Sequence, residues 1–324
     1  MPPTTHRRQA LQALLLCTSF WGLSFPVMKT LALTQQQLLP GVGSWFLSSL
    51  CVACRFLAAG MLLLLLSPSR LGAVTRREVE QGLWLAFFAA AGICLQMDGL
   101  AYISASTSAF LTQLYCVLIP LWVAVVHRRF PPVGILFCCA LVMAGMALLV
   151  QLNIFDLRLG RGELETLASS VVFTAQILCL ELPRFAGNRP RELTLIMLLA
   201  MGLFALPLVV ATAPGLAACL QVYHSLPAVS LLTVLIVVCS IAPFVLMNRW
   251  QREVTATEAG LVYCSEPVFA SLLALFLPGW LSRWTGVDYA SEQVTFRLLV
   301  GGGLITAANV LLQTPWLNGK SSKG

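Results

Sequence analysis

The stretch LTLIMLLAMGLFALPLVVATA, residues 193–213, contains no charged side chain. A helix rises about 1.5 Å per residue, so this stretch would extend about 30 Å, the thickness of the hydrocarbon core of a bilayer. Pro207 lies within it, and proline is ordinary in membrane helices. We therefore interpret the stretch as a membrane-spanning helix.

Nine further apolar runs of about 20 residues show the same pattern, with few or no charges. Hydrophobic residues make up 58% of the 324 residues and charged residues 10%, compared with roughly 25% charged residues in soluble domains. This composition excludes a soluble globule and predicts an all-α membrane protein with about ten transmembrane helices. The predicted spans are Ala10–Leu33, Val42–Leu66, Leu83–Ile103, Ala105–Val126, Val133–Leu152, Glu163–Leu182, Leu193–Ala213, Leu226–Met247, Ala259–Leu277 and Val294–Leu312.

The positive charges fall mainly in alternate short loops, which is how membrane orientation is encoded. With the N-terminus in the cytoplasm, 14 of the 20 Lys and Arg residues are on the inner side. These are Arg7, Arg8, Arg70, Arg76, Arg77, Arg128, Arg129, Arg184, Arg189, Arg191, Arg249, Arg252, Lys320 and Lys323. We expect a multi-pass protein of the cytoplasmic (plasma or inner) membrane with both termini in the cytoplasm. The net charge of +7 forms no basic face, so nucleic acid is not an expected partner.

Spans four and nine begin with similar small residues. The first starts at Ala105 and reaches Pro120, and the other starts at Ala256 and reaches Pro267. The distances from alanine to proline differ by about one helical turn, so each proline keeps roughly the same face. We expect two five-helix repeats, residues 1–152 and 153–324, and an odd number of helices inverts the second repeat in the membrane. Inverted repeats build many secondary transporters.

The chain resembles the EamA-type branch of the drug/metabolite transporter superfamily over nearly its whole length. The residues that carry the resemblance are Trp21-Gly22-Leu23-Ser24-Phe25-Pro26, Arg55-Phe56, the small-residue start and Pro120 of span four, and Glu266-Pro267. The resemblance implies a ten-helix carrier in which helices 1–4 and 6–9 surround a central cavity, with helices 5 and 10 outside it. It also implies export of an amino acid or another small metabolite.

Arg55 and Glu266 are the two charges predicted to lie deep in the membrane. A charge at such depth is costly, so it usually faces a wet cavity or a partner. Arg55 could line a cavity or join a helix-packing pair. Glu266 could bind substrate, pack beside Pro267 or carry a proton. We predict that the two residues form the electrostatic centre of the cavity, either paired directly or holding opposite charges of a zwitterionic substrate.

Further uncharged side chains within spans could orient a polar ligand in an apolar cavity. Each of them could equally form a hydrogen bond between helices. The full predicted substrate-binding set is Trp21, Arg55, Gln96, Gln113, Tyr115, Gln176, Tyr263 and Glu266.

The function predicted from the sequence is secondary transport of a small molecule by alternating access. No G-x-x-x-x-G-K-[ST] loop for ATP is present, and the three histidines lie apart in terminal or loop segments. Cys51 and Cys54 have CxxC spacing without a second pair or a nearby histidine, so we expect no metal, no cofactor and no enzyme activity. The alternative is a channel or a non-transporting scaffold. Small residues at Ala140, Ala144 and 301–303 would permit a homodimer.

Overall fold

The computed structural model describes residues 4–66, 74–128, 130–149 and 159–313, and these ranges are helical without any strand. Arg70, Arg129, Lys320 and Lys323, which contribute to the predicted orientation, lie outside the described residues. The helices are α1 (Thr4–Leu38), α2 (Ser44–Leu66), α3 (Arg76–Leu100), α4 (Ala105–Thr112), α5 (Tyr115–His127), α6 (Val133–Leu149), α7 (Arg161–Leu180), α8 (Pro190–Thr212), α9 (Leu216–Gln221), α10 (Leu226–Ile236), α11 (Ala242–Trp250), α12 (Ala256–Tyr263), α13 (Glu266–Ala274), α14 (Leu277–Thr285) and α15 (Phe296–Gln313).

In these ranges, seven helical segments are long and apolar enough to cross a membrane, which confirms the predicted α-helical membrane class. They are His6–Leu38, Ser44–Leu66, Arg76–Leu100, Thr107–Val126, Arg161–Leu180, Pro190–Thr212 and Leu226–Glu253. The α12–α13 segment and α14 form an eighth span if the 56° bend between them is counted within one span. Two shorter apolar helices, α6 and α15, lie where the fifth and tenth spans were predicted.

Glycines allow the closest helix crossings. A Cβ atom on Gly60 of α2 would lie 2.6 Å from the Leu199 side chain of α8. On α8, a Cβ on Gly202 would lie 2.5 Å from the Leu57 side chain of α2. Because each helix offers a glycine to a leucine of the other, the two backbones approach closely, as is common in membrane bundles.

The α6–α15 pair packs at the edge of the bundle. A Cβ on Gly145 of α6 would lie 2.7 Å from the carbonyl oxygen of Gly301 in α15, so Gly301 is used within the chain. Gly302 and Gly303 have open space beside them, and Ala140 and Ala144 are exposed. The predicted homodimer through these helices stays a prediction.

Candidate functional site

Two helices are interrupted at equivalent places. The α4 helix runs for 8 residues before the chain passes through Gln113 and Leu114 into α5. The α12 helix also runs for 8 residues, and the chain then passes through Cys264 and Ser265 into α13. Each predicted span, Ala105–Val126 and Ala259–Leu277, therefore contains one turn with the tighter i→i+3 bonding, although the chain continues through it as one segment. In transporters, discontinuous helices expose backbone and helix ends to a binding cavity.

Local hydrogen bonds begin each interrupted helix. The Ser104 hydroxyl accepts a bond from the backbone N–H of Thr107 at 3.1 Å. Thr255 and Glu258 form a reciprocal capping box at the start of α12, with bonds of 3.2 and 2.9 Å. These caps satisfy N–H groups that a helix start leaves without partners, so both short helices have a defined beginning.

Proline frees backbone carbonyls near the interruptions. Pro120 has no N–H for the carbonyl of Cys116, which instead accepts a bond from the Cys139 thiol at 3.3 Å. Pro267 likewise leaves the Tyr263 carbonyl without its usual helical donor. The geometry of both helices is thus set by residues that the sequence places just after each break.

The two interruptions meet across the protein. Gln113, from the first break, donates its Nε2 to Glu266 Oε2 at 3.1 Å. Glu266 is the first residue of α13, and it is 6% exposed. A carboxylate at a helix N-terminus is stabilised by the helix dipole. The helix end therefore offsets part of the cost of burying a charge at Glu266.

A cavity opens beside this contact and encloses about 600 Å³ of space free of protein atoms, part of which is continuous with solvent. Side chains from α1, α2, α3, α7, α11 and the two interrupted helices line the cavity. They are Trp21, Ser24, Met28, Arg55, Ile93, Gln96, Thr112, Tyr115, Phe173, Gln176, Ile177, Phe244, Met247, Tyr263 and Glu266.

Arg55 is buried and lines the cavity, yet protein groups occupy its nitrogens. Nε donates to Ser240 Oγ at 2.5 Å, and Nη2 donates to the Cys239 carbonyl at 2.7 Å. That carbonyl lies in a π-helical turn, Val237–Ile241, and Pro243 has no N–H to offer it. Nη1 approaches Met28 Sδ at 3.4 Å. Arg55 therefore joins α2 to α1 and to the π-turn.

The direct Arg55–Glu266 pair predicted as one alternative does not form. Among the described residues, the guanidinium bonds to Ser240, Cys239 and Met28, and the carboxylate bonds to Gln113. The expectation assumed that each deep charge needs the other. In the structure, a freed carbonyl and a hydroxyl stabilise the arginine, while an amide and a helix end stabilise the glutamate.

Aromatic rings form one wall of the cavity. Trp21 meets the Tyr263 ring edge-on at a centroid distance of 5.3 Å and the Phe244 ring at 5.9 Å. Phe56 is not a lining residue, but it packs against this wall with its ring 5.8 Å from that of Phe244. The Arg55 guanidinium carbon lies 5.0 Å from the centroid of the Phe56 ring. The wall thus ends at the arginine on one side and at the Tyr263–Glu266 region on the other.

Some polar side chains that line the cavity already form hydrogen bonds with other side chains, and others have no such partner among the described residues. Gln96 donates to Thr112 Oγ1 at 2.9 Å, and the Tyr263 hydroxyl donates to Gln251 Oε1 at 2.8 Å. No hydrogen bond from the described residues reaches the Tyr115 hydroxyl or the Gln176 amide, although both line the cavity. Those two groups remain available to a ligand.

Seven of the eight predicted site residues line this one cavity, and Gln113 lies directly behind Glu266. Sequence reasoning missed Ser24, Met28 and Thr112, together with the apolar residues of α3, α7 and α11. Ser24 belongs to the quoted helix 1 motif, which was a usable signal. The apolar lining residues look like any other core residues, so nothing in the sequence distinguished them.

Ionic contacts close both ends of the bundle. At the predicted outer end, Lys29 Nζ donates to the carbonyls of Leu100, Ala101 and Ile103 at 2.5 to 3.3 Å, and Arg161 pairs with Asp98 at 2.5 Å. At the other end, Arg7 pairs with Glu258 at 2.6 Å and Arg189 pairs with Glu78 at 2.8 Å. The bond to Glu78 raises the pKa of Arg189 above its usual value.

No protein-family model and no curated protein matches this sequence. Solved structures do share the fold, with 27 matching chains. One, described as the crystal structure of a protein, aligns with 92% of this chain and 96% of its own at a TM-score of 0.62 and 16% sequence identity. At that identity the likeness concerns the fold alone, and it covers nearly the whole chain.

Proposed function

We propose that this protein is a secondary transporter that moves a small amphipathic metabolite, by export, through alternating access of its central cavity. The observation that carries the proposal is the meeting of two interrupted helices, through Gln113 and Glu266, at the wall of that cavity. Irregular helix turns that converge on one central cavity are common in carriers, where they lie beside the substrate.

The packing of the helices supports an inverted repeat of five helices. If α7, α8, α10–α11, α12–α13 and α15 repeat α1, α2, α3, α4–α5 and α6, each interface between the halves has a counterpart. The α3–α7 contact corresponds to the α1–α11 contact, and both occur. The α4–α7 contact likewise corresponds to the α1–α12 contact, and both occur. The α2–α8 and α6–α15 contacts each join a helix to its own equivalent in the other half, so each contact is its own counterpart.

The proposal therefore includes ten spans, with both termini in the cytoplasm and α6 and α15 as the fifth and tenth spans. The cavity then lies between the two halves. Contacts at both ends of the bundle, Arg7–Glu258 and Arg161–Asp98, link helices of the two halves. Breaking one set at a time would expose the cavity alternately, with no need for ATP hydrolysis by this chain.

The test is flux into proteoliposomes that contain this chain alone. A thermal-shift screen against metabolites identifies ligands, because a ligand that binds the folded state stabilises it. Radiolabelled ligands from that screen are then assayed without ATP. Saturable flux supports a carrier. Substrate-independent conductance would favour the channel, and a strict requirement for added ATP would reject secondary transport.

A matched pair of tryptophan substitutions separates cavity transport from leak. Ser24→Trp adds a large ring at a cavity-lining position that is 5% exposed. Val210→Trp adds the same ring on α8 at a position that is 79% exposed. We expect flux to fall at least tenfold in the first variant and to be unchanged in the second. Equal flux in both variants would place the transport path elsewhere.

A further inference from the structure

We infer that the cavity selects an aromatic or flat apolar amine that carries a single positive charge and no carboxylate, with Glu266 as the residue that receives the ammonium group. This inference rests on the proposed transport function and narrows its substrate class. It replaces the zwitterion expected from the sequence with a cation, because the two deep charges are not equally available to a ligand.

Glu266 has hydrogen-bonding capacity left for a ligand. Gln113 occupies Oε2, and no bond from the described residues reaches Oε1. The residue lines the cavity, so Oε1 can accept a bond from a donor placed there. An ionised carboxylate accepts hydrogen bonds only, and a ligand ammonium supplies both the donor and the opposite charge.

Arg55 is poorly placed to receive a ligand carboxylate. Its three nitrogens already point at Ser240, Cys239 and Met28, and its guanidinium lies over the Phe56 ring. Bidentate recognition of a carboxylate needs two parallel N–H donors of the guanidinium fork. A ligand carboxylate would have to share the guanidinium with these groups, whereas an ammonium can reach Glu266 Oε1 without breaking a contact.

The aromatic wall suits the body of such a ligand. Trp21 and Tyr263 lie edge-on to one another beside Glu266, and Phe173 and Phe244 also line the cavity. Aromatic faces attract cations, and recognition of ammonium groups by aromatic cages is a known use of that attraction. The unpaired Tyr115 hydroxyl and Gln176 amide remain to orient a polar edge of the ligand.

A proton would compete with this ligand. Protonation of Glu266 removes the charge that attracts the ammonium, so cation binding should weaken as the pH is lowered. The phenols and thiols around Glu266 are uncharged near neutral pH, and arginine stays protonated throughout. The groups concerned are Cys17 of α1, Tyr115 of α5, Tyr263 and Cys264 of α12, and Arg55 across the cavity.

Four indole compounds test the inference with one ring and four charge states. They are tryptamine (cation), tryptophan (zwitterion), 3-indolepropionate (anion) and indole (neutral). Calorimetry on the full chain in nanodiscs, with empty nanodiscs subtracted, measures each affinity. We expect tryptamine to bind at least tenfold more tightly than the other three, and its affinity to fall as the pH is lowered. Absence of tryptamine binding, or equal affinity for tryptophan or 3-indolepropionate, would overturn the inference.

Two variants and one control locate the binding site. Glu266→Gln should weaken tryptamine binding at least tenfold and abolish its pH dependence, while Glu80→Gln, at an exposed pair with Arg184, should change neither. Trp21→Leu should also weaken tryptamine binding and should keep the pH dependence. Unchanged affinity in a folded Glu266→Gln protein would mean that Glu266 only links the two interruptions, and the inference would fail.

Flux measurements separate this inference from the proposed function. Saturable tryptophan flux without tryptamine binding would keep the carrier and reject the cation site. Tryptamine binding that depends on Glu266, without flux of any compound tested, would keep the cation site and reject the carrier.

Discussion

At the scale of single residues, Arg55 illustrates how a buried charge is stabilised without an acid. Its partners are a hydroxyl, a backbone carbonyl freed by Pro243 and a thioether. Charge-assisted bonds to neutral groups are strong in a medium of low dielectric constant. The stability of α2 against α1 and the π-turn should therefore depend on Ser240 more than on Glu266.

A pair of double-mutant cycles tests this dependence. We expect Arg55→Gln and Ser240→Ala to couple by about 1 kcal/mol or more in unfolding free energy, since contacting residues typically couple by 0.5–3 kcal/mol. Arg55→Gln and Glu266→Gln should show weaker coupling, because the two side chains share no bond. Thermal unfolding in detergent gives both values, and stronger coupling of Arg55 to Glu266 would restore the direct pair.

Gly22 allows α1 and α13 to cross at a close distance. A Cβ there would lie 2.7 Å from Phe269 Cβ and 2.9 Å from the Ala270 nitrogen. We expect Gly22→Ala to lower the unfolding free energy by about 1–3 kcal/mol, as overpacking does. Gly302→Ala is the control, because nothing lies within 4 Å of its Cβ position. It should be neutral or stabilising by up to about 1 kcal/mol through helix propensity. Equal losses in both variants would contradict the close crossing.

At the scale of elements, apolar periodicity and length located α2, α7 and α8 within three residues, and α1 and α3 within seven. The interruption at Gln113 could not be predicted, because neither residue of the break is a glycine or a proline. The π-turn and α14 were also missed. Leu277–Thr285 is too short and too polar to resemble a span, and its bend depends on how it packs against α1.

The same limit applies to the candidate site. Charge and polarity within apolar runs identify residues that need a wet or polar environment, and this reasoning placed Arg55, Gln96 and Gln176 in a shared region. It could not decide which polar groups satisfy one another. That choice depends on helix rotation and on the freed Cys239 carbonyl, and both are properties of the assembled bundle.

The capping box of α12 gives a prediction at this scale. Thr255→Ala removes the acceptor for the Glu258 N–H and should destabilise the protein by about 1 kcal/mol, with faster hydrogen exchange in the first turn of α12. Thr306→Ala is the control, because that hydroxyl only bonds back to the Gly302 carbonyl of its own helix. Similar exchange in the wild type and in Thr255→Ala would show that the cap does not hold this helix end.

At the scale of the whole molecule, the proposed inverted repeat and the proposed ten-span topology depend on each other. The halves can be related by inversion only if α6 crosses the membrane, because five spans per half reverse the orientation of the second. The α6 helix has 17 residues and α15 has 18, which correspond to about 25 and 27 Å, slightly less than the hydrocarbon core. A small mismatch of this kind is accommodated by local thinning of the bilayer at modest cost.

Reporter fusions on either side of α6 decide between ten spans and fewer. We expect a fusion after Pro131 to report the cytoplasm and a fusion after Leu159 to report the opposite side, since one crossing separates them. Fusions within the Arg70–Arg77 segment and after Lys323 should also report the cytoplasm, in agreement with the bias of the positive charges. These two positions serve as controls, because an even number of spans places both on that side whether the protein has eight or ten. If the fusions after Pro131 and Leu159 reported the same side, α6 would not cross the membrane. The second half would then not be inverted relative to the first. The cavity could no longer be interpreted as the interface between two repeats.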